Sequence, residues 1–262
     1  MGFETLLLTI DERVATVTLN RPKVLNALNA TMLLELDEAF SVLADHSEVR
    51  VVLLRGAGGR AFAAGADISE LAEADSAEGE RLAGRAQRVF RRIETMGKPV
   101  IACIEGFALG GGCELAMACT LRLASSAAQM AQPEIKLGLI PGYGGTQRLP
   151  RLVGAGAALK MLLTGAMINA AQALRIGLVD EVVEGDSEAL MARVSELAKQ
   201  IAAMPPLAVK ATIEAVGRGA DLALDDALAL EARMFGQLCG TEDKREGTRA
   251  FLEKRAAVWT GR

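Results

Sequence analysis

Histidine is nearly absent from this 262-residue chain. Its one copy, His46, lies in the polar turn "ADHSEV" and reads as solvated surface. No second histidine and no cysteine cluster is present to complete a zinc site. With no GxSxG elbow either, a Ser-His-Asp hydrolase is disfavoured. Aromatic residues make up only 3% of the chain, and the formal net charge is −4. A nucleic-acid binder normally shows a basic excess or a basic, aromatic patch, and neither is seen. The four cysteines (Cys103, Cys113, Cys119 and Cys239) have no CxxC spacing, and three fall in apolar segments. They read as buried thiols in a reducing cytosol. No apolar run approaches the roughly 18 residues of a membrane span. The opening "MGFETLLLTIDE" lacks the basic start and long apolar stretch of a signal peptide, and Leu6 breaks the myristoylation pattern. The expectation is a cytoplasmic protein. No GxxxxGK[ST] phosphate loop occurs. In "GYGGTQ" and "GAGAAL" the third glycine of a dinucleotide loop is replaced by Gln147 or Leu159. Carboxylates and backbone donors remain as the available chemistry.

Apolar residues are plentiful, at 51% against 24% charged, enough for one sizeable core. "TLLLTIDERVATVTLN" alternates across a polar turn and predicts an N-terminal hairpin. Leu33, Leu36, Phe40 and Leu43 recur at helical spacing behind a cap at Asn29 or Thr31. "RVVLLRG" reads as a buried strand. Leu82, Ala86, Val89 and Ile93 mark a second amphipathic helix that stops before Gly97 and Pro99. "PVIACIEG", "GGCELAMAC" and "TLRLAS" follow as strand, helix and strand. This alternation predicts an α/β fold. After about residue 161 strands nearly stop, apart from "GLVDEVV". Leu190, Val194, Leu197 and Ile201 share one face of a helix, Pro205 and Pro206 open another, and two more are expected over 221–238 and 241–258. The chain thus divides into a core, 1–195, and a helical region, 196–262, suited to packing on its own core or on a neighbouring subunit.

A weak repeat runs through the core. "VVLLRGAGGRAFAAGADI" and "PVIACIEGFALGGGCEL" share one plan of apolar strand, glycine turn and Phe-Ala-x-Gly-small. It makes Ala66 and Gly111 equivalent backbone positions, each just after a strand and leading into a helix. Two N–H groups so placed are suited to hold a developing negative charge. Two carboxylates stand out beside them. Glu114 follows "GGG" in an apolar helix start, and Glu134 lies between Pro133 and Ile135. Burial in such surroundings raises a carboxyl pKa toward neutrality, as proton-transfer chemistry requires, although a helix-start acid or a loop acid would look the same. Glu105, at a strand end, reads as structural.

The segments "LNRPKVLNALN", "AFAAGADISEL", "KPVIACIEGFALGGGCELAMACTLRLAS", "AQPEIKLGLIPGYGGTQRLPRLVG", "LLTGAMINAAQALRIGLVDEVV" and "FLEKRAAVW" occur in order. Together they resemble the enoyl-CoA hydratase/isomerase (crotonase) family over nearly the whole chain. The resemblance implies a crotonase-like spiral of ββα repeats with a helical C-terminal trimerisation region. It also implies a homotrimer or a homohexamer (dimer of trimers), and an acyl-CoA thioester as substrate. It assigns Ala66 and Gly111 to the oxyanion hole and Glu114 and Glu134 to catalysis. Lys23, Ala64, Asp67 and Ile68 lie in segments that usually line the CoA channel. Having both acids looks like a hydratase that adds water to a trans-2-enoyl-CoA. Such chemistry needs no metal and no cofactor beyond the coenzyme A of the substrate. Enoyl-CoA isomerisation, or a non-catalytic or RNA-binding homologue, is the alternative. The chain departs from the family pattern at Thr120, Met130-Ala131, Tyr143 and Ala256-Ala257.

Overall fold

The alternating N-terminal stretch forms an antiparallel hairpin, β1 (Leu6–Asp11) and β2 (Val14–Leu19). These elements come from a computed structural model that describes residues 2–262. Ala15, Val17 and Leu19 face the core at the two-residue period of a strand. Helix α1 (Ala30–Asp45) is capped by Asn29, whose side chain accepts from the Met32 N–H, and it buries Leu33, Leu36, Phe40 and Leu43.

Three turns of a spiral follow, each with a long strand and a short one. β3 (Val51–Gly56) leads to β4 (Ala61–Ala63), then to the short α2 (Ile68–Ala72) and the long α3 (Ser76–Thr95). β5 (Val100–Ile104) leads to β6 (Phe107–Leu109) and α4 (Gly111–Met117). β7 (Leu121–Ser125) leads to β8 (Gln129–Ala131) and a 3-10 turn, Glu134–Leu137. The long strands stack in parallel in the order β2-β3-β5-β7, and the short ones in the order β4-β6-β8. The two segments of the repeat therefore lie side by side, with Ala61 opposite Phe107 and Ala63 opposite Ala108.

Helix α5 (Gly145–Thr164) comes next. It contains Pro150 and a break at Gly154, and its sequence shows no clean apolar stripe. β9 (Ile168–Asn169) closes the small sheet, and α6 (Ala170–Ile176) leads to β10 (Glu181–Val183) at the edge of the large one. Helix α7 (Ser187–Ala202) buries Leu190, Val194, Ala198 and Ala202 against Val51, Leu53, Ile101 and Leu123 of the large sheet. The expected division at residue 195 is corrected by this packing. It falls inside α7, whose apolar stripe runs unbroken onto the sheet, so the core extends through Ala202.

Beyond it stand α8 (Pro206–Gly219), α9 (Leu224–Cys239) and α10 (Glu242–Glu253), with α8 packed on α9. Cys103, Cys113 and Cys119 are buried and Cys239 is exposed. His46 is half-buried where α1 ends, with Nδ1 enclosed and unpartnered among the described residues. That corrects the expectation of a solvated ring. Thr120 has a structural use, since its hydroxyl accepts the Val100 N–H at the start of β5.

Candidate active site

Helix α4 begins two residues after β6, and Gly110 makes the turn with φ 47° and ψ −123°, a conformation open to glycine. Ala66 lies three residues after β4. It is bridged to Leu28 in parallel fashion, through Leu28 N–H to Gly65 O and Asp67 N–H to Leu28 O. That pattern leaves the Ala66 N–H on the other side of the chain. Neither the Ala66 nor the Gly111 N–H donates to a protein acceptor among the described residues. Buried backbone donors are nearly always paired, so a free one on buried Gly111 beside another on half-buried Ala66 is informative. They are close: a Cβ built on Gly111 would lie 3.3 Å from Ala66 N.

The two glutamates meet around Gly110. Glu114 is 1% exposed, and its Oε1 accepts from the N–H groups of Tyr143 (2.8 Å) and Gly145 (2.7 Å). Its pKa is pushed up to about 7, chiefly by burial and further by the charge of Glu134. The two backbone donors and Arg148 oppose that rise. Glu134 opens the 3-10 turn after Pro133, and its Oε1 lies 2.7 Å from where a Cβ on Gly110 would stand. Its Oε2 is buried with no protein partner among the described residues, and burial raises its pKa as well. Gln132 braces the arrangement through Nε2 to Gly110 O at 3.2 Å. Tyr143 packs its ring over Gly111, where a Cβ would meet ring carbons at 2.9 and 3.0 Å, and it meets Phe90 edge-on at 5.8 Å. The result is a partly enclosed recess holding two free N–H donors and two carboxyl groups biased toward their neutral forms.

The other four sequence candidates lie on the 20–28 and 64–68 segments. Lys23 is exposed on a 3-10 turn, Pro22–Val24, that borders a 420 Å³ cleft. The Ala64 N–H is spent on Leu25 O at 3.0 Å. Asp67 caps α2 through Ser69 and pairs with Arg21 at 3.0 Å. The Ser69 hydroxyl, helped by Arg21, holds the Asp67 carboxyl below its usual range. Its carboxylate therefore ties the 20–28 loop to the 64–68 segment, and Ile68 stands exposed beside it. Sequence reasoning missed Gln132, the donors from Tyr143 and Gly145, and Arg148 behind them.

The raised pKa of Glu114 has a stability consequence. Its folded value, about 7, lies above its ordinary value of 4.5, so the folded state binds that proton more tightly. The resulting stabilisation is complete below the ordinary value and is lost as pH rises through the folded one. Glu114→Gln cannot ionise, and its Oε1 still accepts both backbone donors. Urea unfolding across pH 4.5 to 8 is expected to show wild type falling behind the variant, by on the order of 3 kcal/mol above neutrality. Parallel pH curves for the two proteins would remove that assignment.

Stacked ββ turns that present free amide donors beside buried acids define a crotonase-type protein. The chain belongs to the enoyl-CoA hydratase/isomerase family, whose model matches residues 9–262. It is 48% identical over 255 residues to a short-chain-enoyl-CoA hydratase of Clostridium acetobutylicum, covering 97% of each chain. It is 46% identical over 257 residues to a crotonyl-CoA hydratase of Syntrophomonas wolfei, covering 98% of each. Among solved structures, an enoyl-CoA hydratase of Bacillus anthracis superposes with a TM-score of 0.95 at 36% identity, over 99% of this chain and 100% of that one.

Proposed function

We propose that the protein is a 2-enoyl-CoA hydratase for short acyl chains, catalysing reversible syn addition of water to give a 3-hydroxyacyl-CoA. The observation that carries this reading is the pairing of two free N–H groups, Ala66 and Gly111, with the buried Glu114 and the half-buried Glu134, whose Oε2 is enclosed. The N–H pair polarises the thioester carbonyl, which makes Cβ electrophilic and stabilises the enolate that forms as water adds. The glutamates hold the water between them. One takes its proton while the other delivers a proton to Cα, and the shared water makes their titrations one coupled system. The chemistry draws on no cofactor beyond the CoA part of the substrate. The names of the Clostridium and Syntrophomonas relatives support a short acyl group.

The same reading makes the protein a homotrimer or a dimer of trimers. Support comes from large apolar side chains left uncovered on the C-terminal helices, including Leu224 (72%), Phe235 (69%) and Phe251 (84%). No described helix is long and apolar enough to cross a membrane. A cytoplasmic location is part of the proposal, supported by the four free thiols. The decisive experiment follows the conjugated enoyl absorbance of crotonyl-CoA. Bleaching with formation of 3-hydroxybutyryl-CoA is expected, and no turnover of any short or medium enoyl-CoA would sink the reading.

A further inference from the structure

We propose that the Glu94–Arg148 ion pair is a positioning device for Glu114, acting through the backbone of Tyr143. The inference rests on the proposed role of Glu114 in hydration.

The loop before α5 and the first residue of that helix supply the two N–H groups that hold Glu114 Oε1, so the direction of that carboxyl depends on where the loop sits. One stripe of α3 sets the loop. Ala83, Gln87, Phe90 and Glu94 are spaced by four, three and four residues, which places them on one helix face. Each meets the loop or the start of α5. A Cβ on Gly142 would lie 3.6 Å from that of Ala83, and Gln87 Nε2 donates to Gly142 O at 2.8 Å. Phe90 packs edge-on against Tyr143, and Glu94 receives Arg148 in a two-pronged pair, Nε to Oε1 and NH2 to Oε2, both at 3.2 Å.

The third prong of Arg148 closes the chain. Its NH1 donates to Tyr143 O at 3.1 Å, while the Tyr143 N–H donates to Glu114. Tyr143 is thus held at both backbone ends, by a cation on one side and by the reacting carboxyl on the other. The Arg148 side chain is only 15% exposed, and the planar fork fixes its direction. An exposed pair would do little, but this one sits between a helix and a catalytic loop.

Charge reinforces the geometry. The charges acting on Glu114 are Glu134 from the 3-10 turn and Arg148 from α5, while Glu114 in turn acts on the Tyr143 hydroxyl and the Cys113 thiol. Arg148 is the cation among them and offsets Glu134. Losing it removes a favourable charge and a mechanical stop together.

Crotonyl-CoA hydration by the full-length protein tests this, with hydrogen exchange of residues 141–148 measured alongside. Arg148→Gln is expected to lower kcat roughly 10- to 100-fold, the effect of misplacing a catalytic group by about 1 Å, with KM little changed. The limb of the kcat/KM profile near neutral pH should move to higher pH. Arg148→Lys keeps the charge but not the fork, so that limb should return toward wild type while kcat stays low. Glu94→Gln keeps the guanidinium but frees it, and should lower kcat without the upward shift. Both Arg148→Gln and Glu94→Gln should speed exchange at the Tyr143 and Gly145 amides.

Wild-type kcat and pH profile in Arg148→Gln would overturn the proposal. So would exchange that accelerates evenly over the whole chain, which marks general destabilisation. If wild type fails to hydrate any enoyl-CoA, the functional reading falls. The exchange data still decide whether the pair holds the loop.

Discussion

Glu134→Gln is expected to lower kcat for crotonyl-CoA hydration by about 10²–10⁴, the range that a positioned acid–base group contributes. Glu114→Gln should fall in the same range. The two substitutions are suitable because each keeps the size of the side chain. In Glu114→Gln the retained oxygen still accepts from Tyr143 and Gly145, so the loop keeps its shape. In Glu134→Gln the altered group faces no protein hydrogen-bond partner at Oε2, so no network is broken. Binding of an unreactive saturated CoA ester should therefore survive in both, as measured by calorimetry. A rate within tenfold of wild type for either variant would mean that the water is not held by two carboxyl groups. If Glu134→Gln alone abolishes turnover, chemistry by a single acid, such as isomerisation, becomes the better description.

The second large effect concerns the N–H pair. Gly111→Ala is expected to cost about 10²–10³ in kcat/KM, the usual loss when an oxyanion donor is displaced. Its methyl carbon would meet the Tyr143 ring at 2.9 Å and Ala66 N at 3.3 Å. Contacts under 3 Å force something to move, and both neighbours belong to the site. The ring is held by Phe90 and the loop, and the amide is held by the Leu28 bridge, so the donors should be pushed apart. An infrared spectrum of an isotopically labelled thioester gives the direct check. The carbonyl band of bound ligand should lie at lower frequency in wild type and return toward its solution position in the variant. An unshifted band in Gly111→Ala would show that the amide pair is not what grips the carbonyl.

How far the sequence carries such arguments depends on the length of the periodic signal. The hairpin, α1, α3 and α7 were legible because each runs for several repeats of its own period. β4, β6 and β8 have three residues each, too few to alternate; β4 and β6 became visible only as one motif occurring twice, and β8 stayed hidden. α5 was hidden by its glycines, Pro150 and the break at Gly154. The two C-terminal helices were expected over 221–238 and 241–258. They occupy Leu224–Cys239 and Glu242–Glu253, the last stopping where Lys254 turns left-handed. Glu114 and Glu134 stood out because an acid inside an apolar run has few reasons to be there. The partners of Glu114 are backbone amides 29 and 31 residues away and could not be seen, since every residue but proline carries one. Arg148 was equally silent: on a helix surface a lone arginine looks the same whether it meets water or Glu94.

The proposed thioester grip is made of main chain, so at Ala66 it has no codon of its own. Ala66 offers an N–H group that nearly any residue would also offer, provided that the backbone path is kept, whereas the Tyr143 ring holds position 111 to glycine. Glu114 and Glu134, by contrast, each disappear with a single base change. A lineage built on this scaffold therefore drifts unevenly. In the proposed scheme, capture of an activated acyl group depends on the backbone path and on glycine at 111, while the reaction performed on that group is free to be rewritten one side chain at a time. The turn at Gly110 and Gly111 is where that freedom stops, because a side chain at Gly110 would collide with Glu134 and one at Gly111 with the Tyr143 ring.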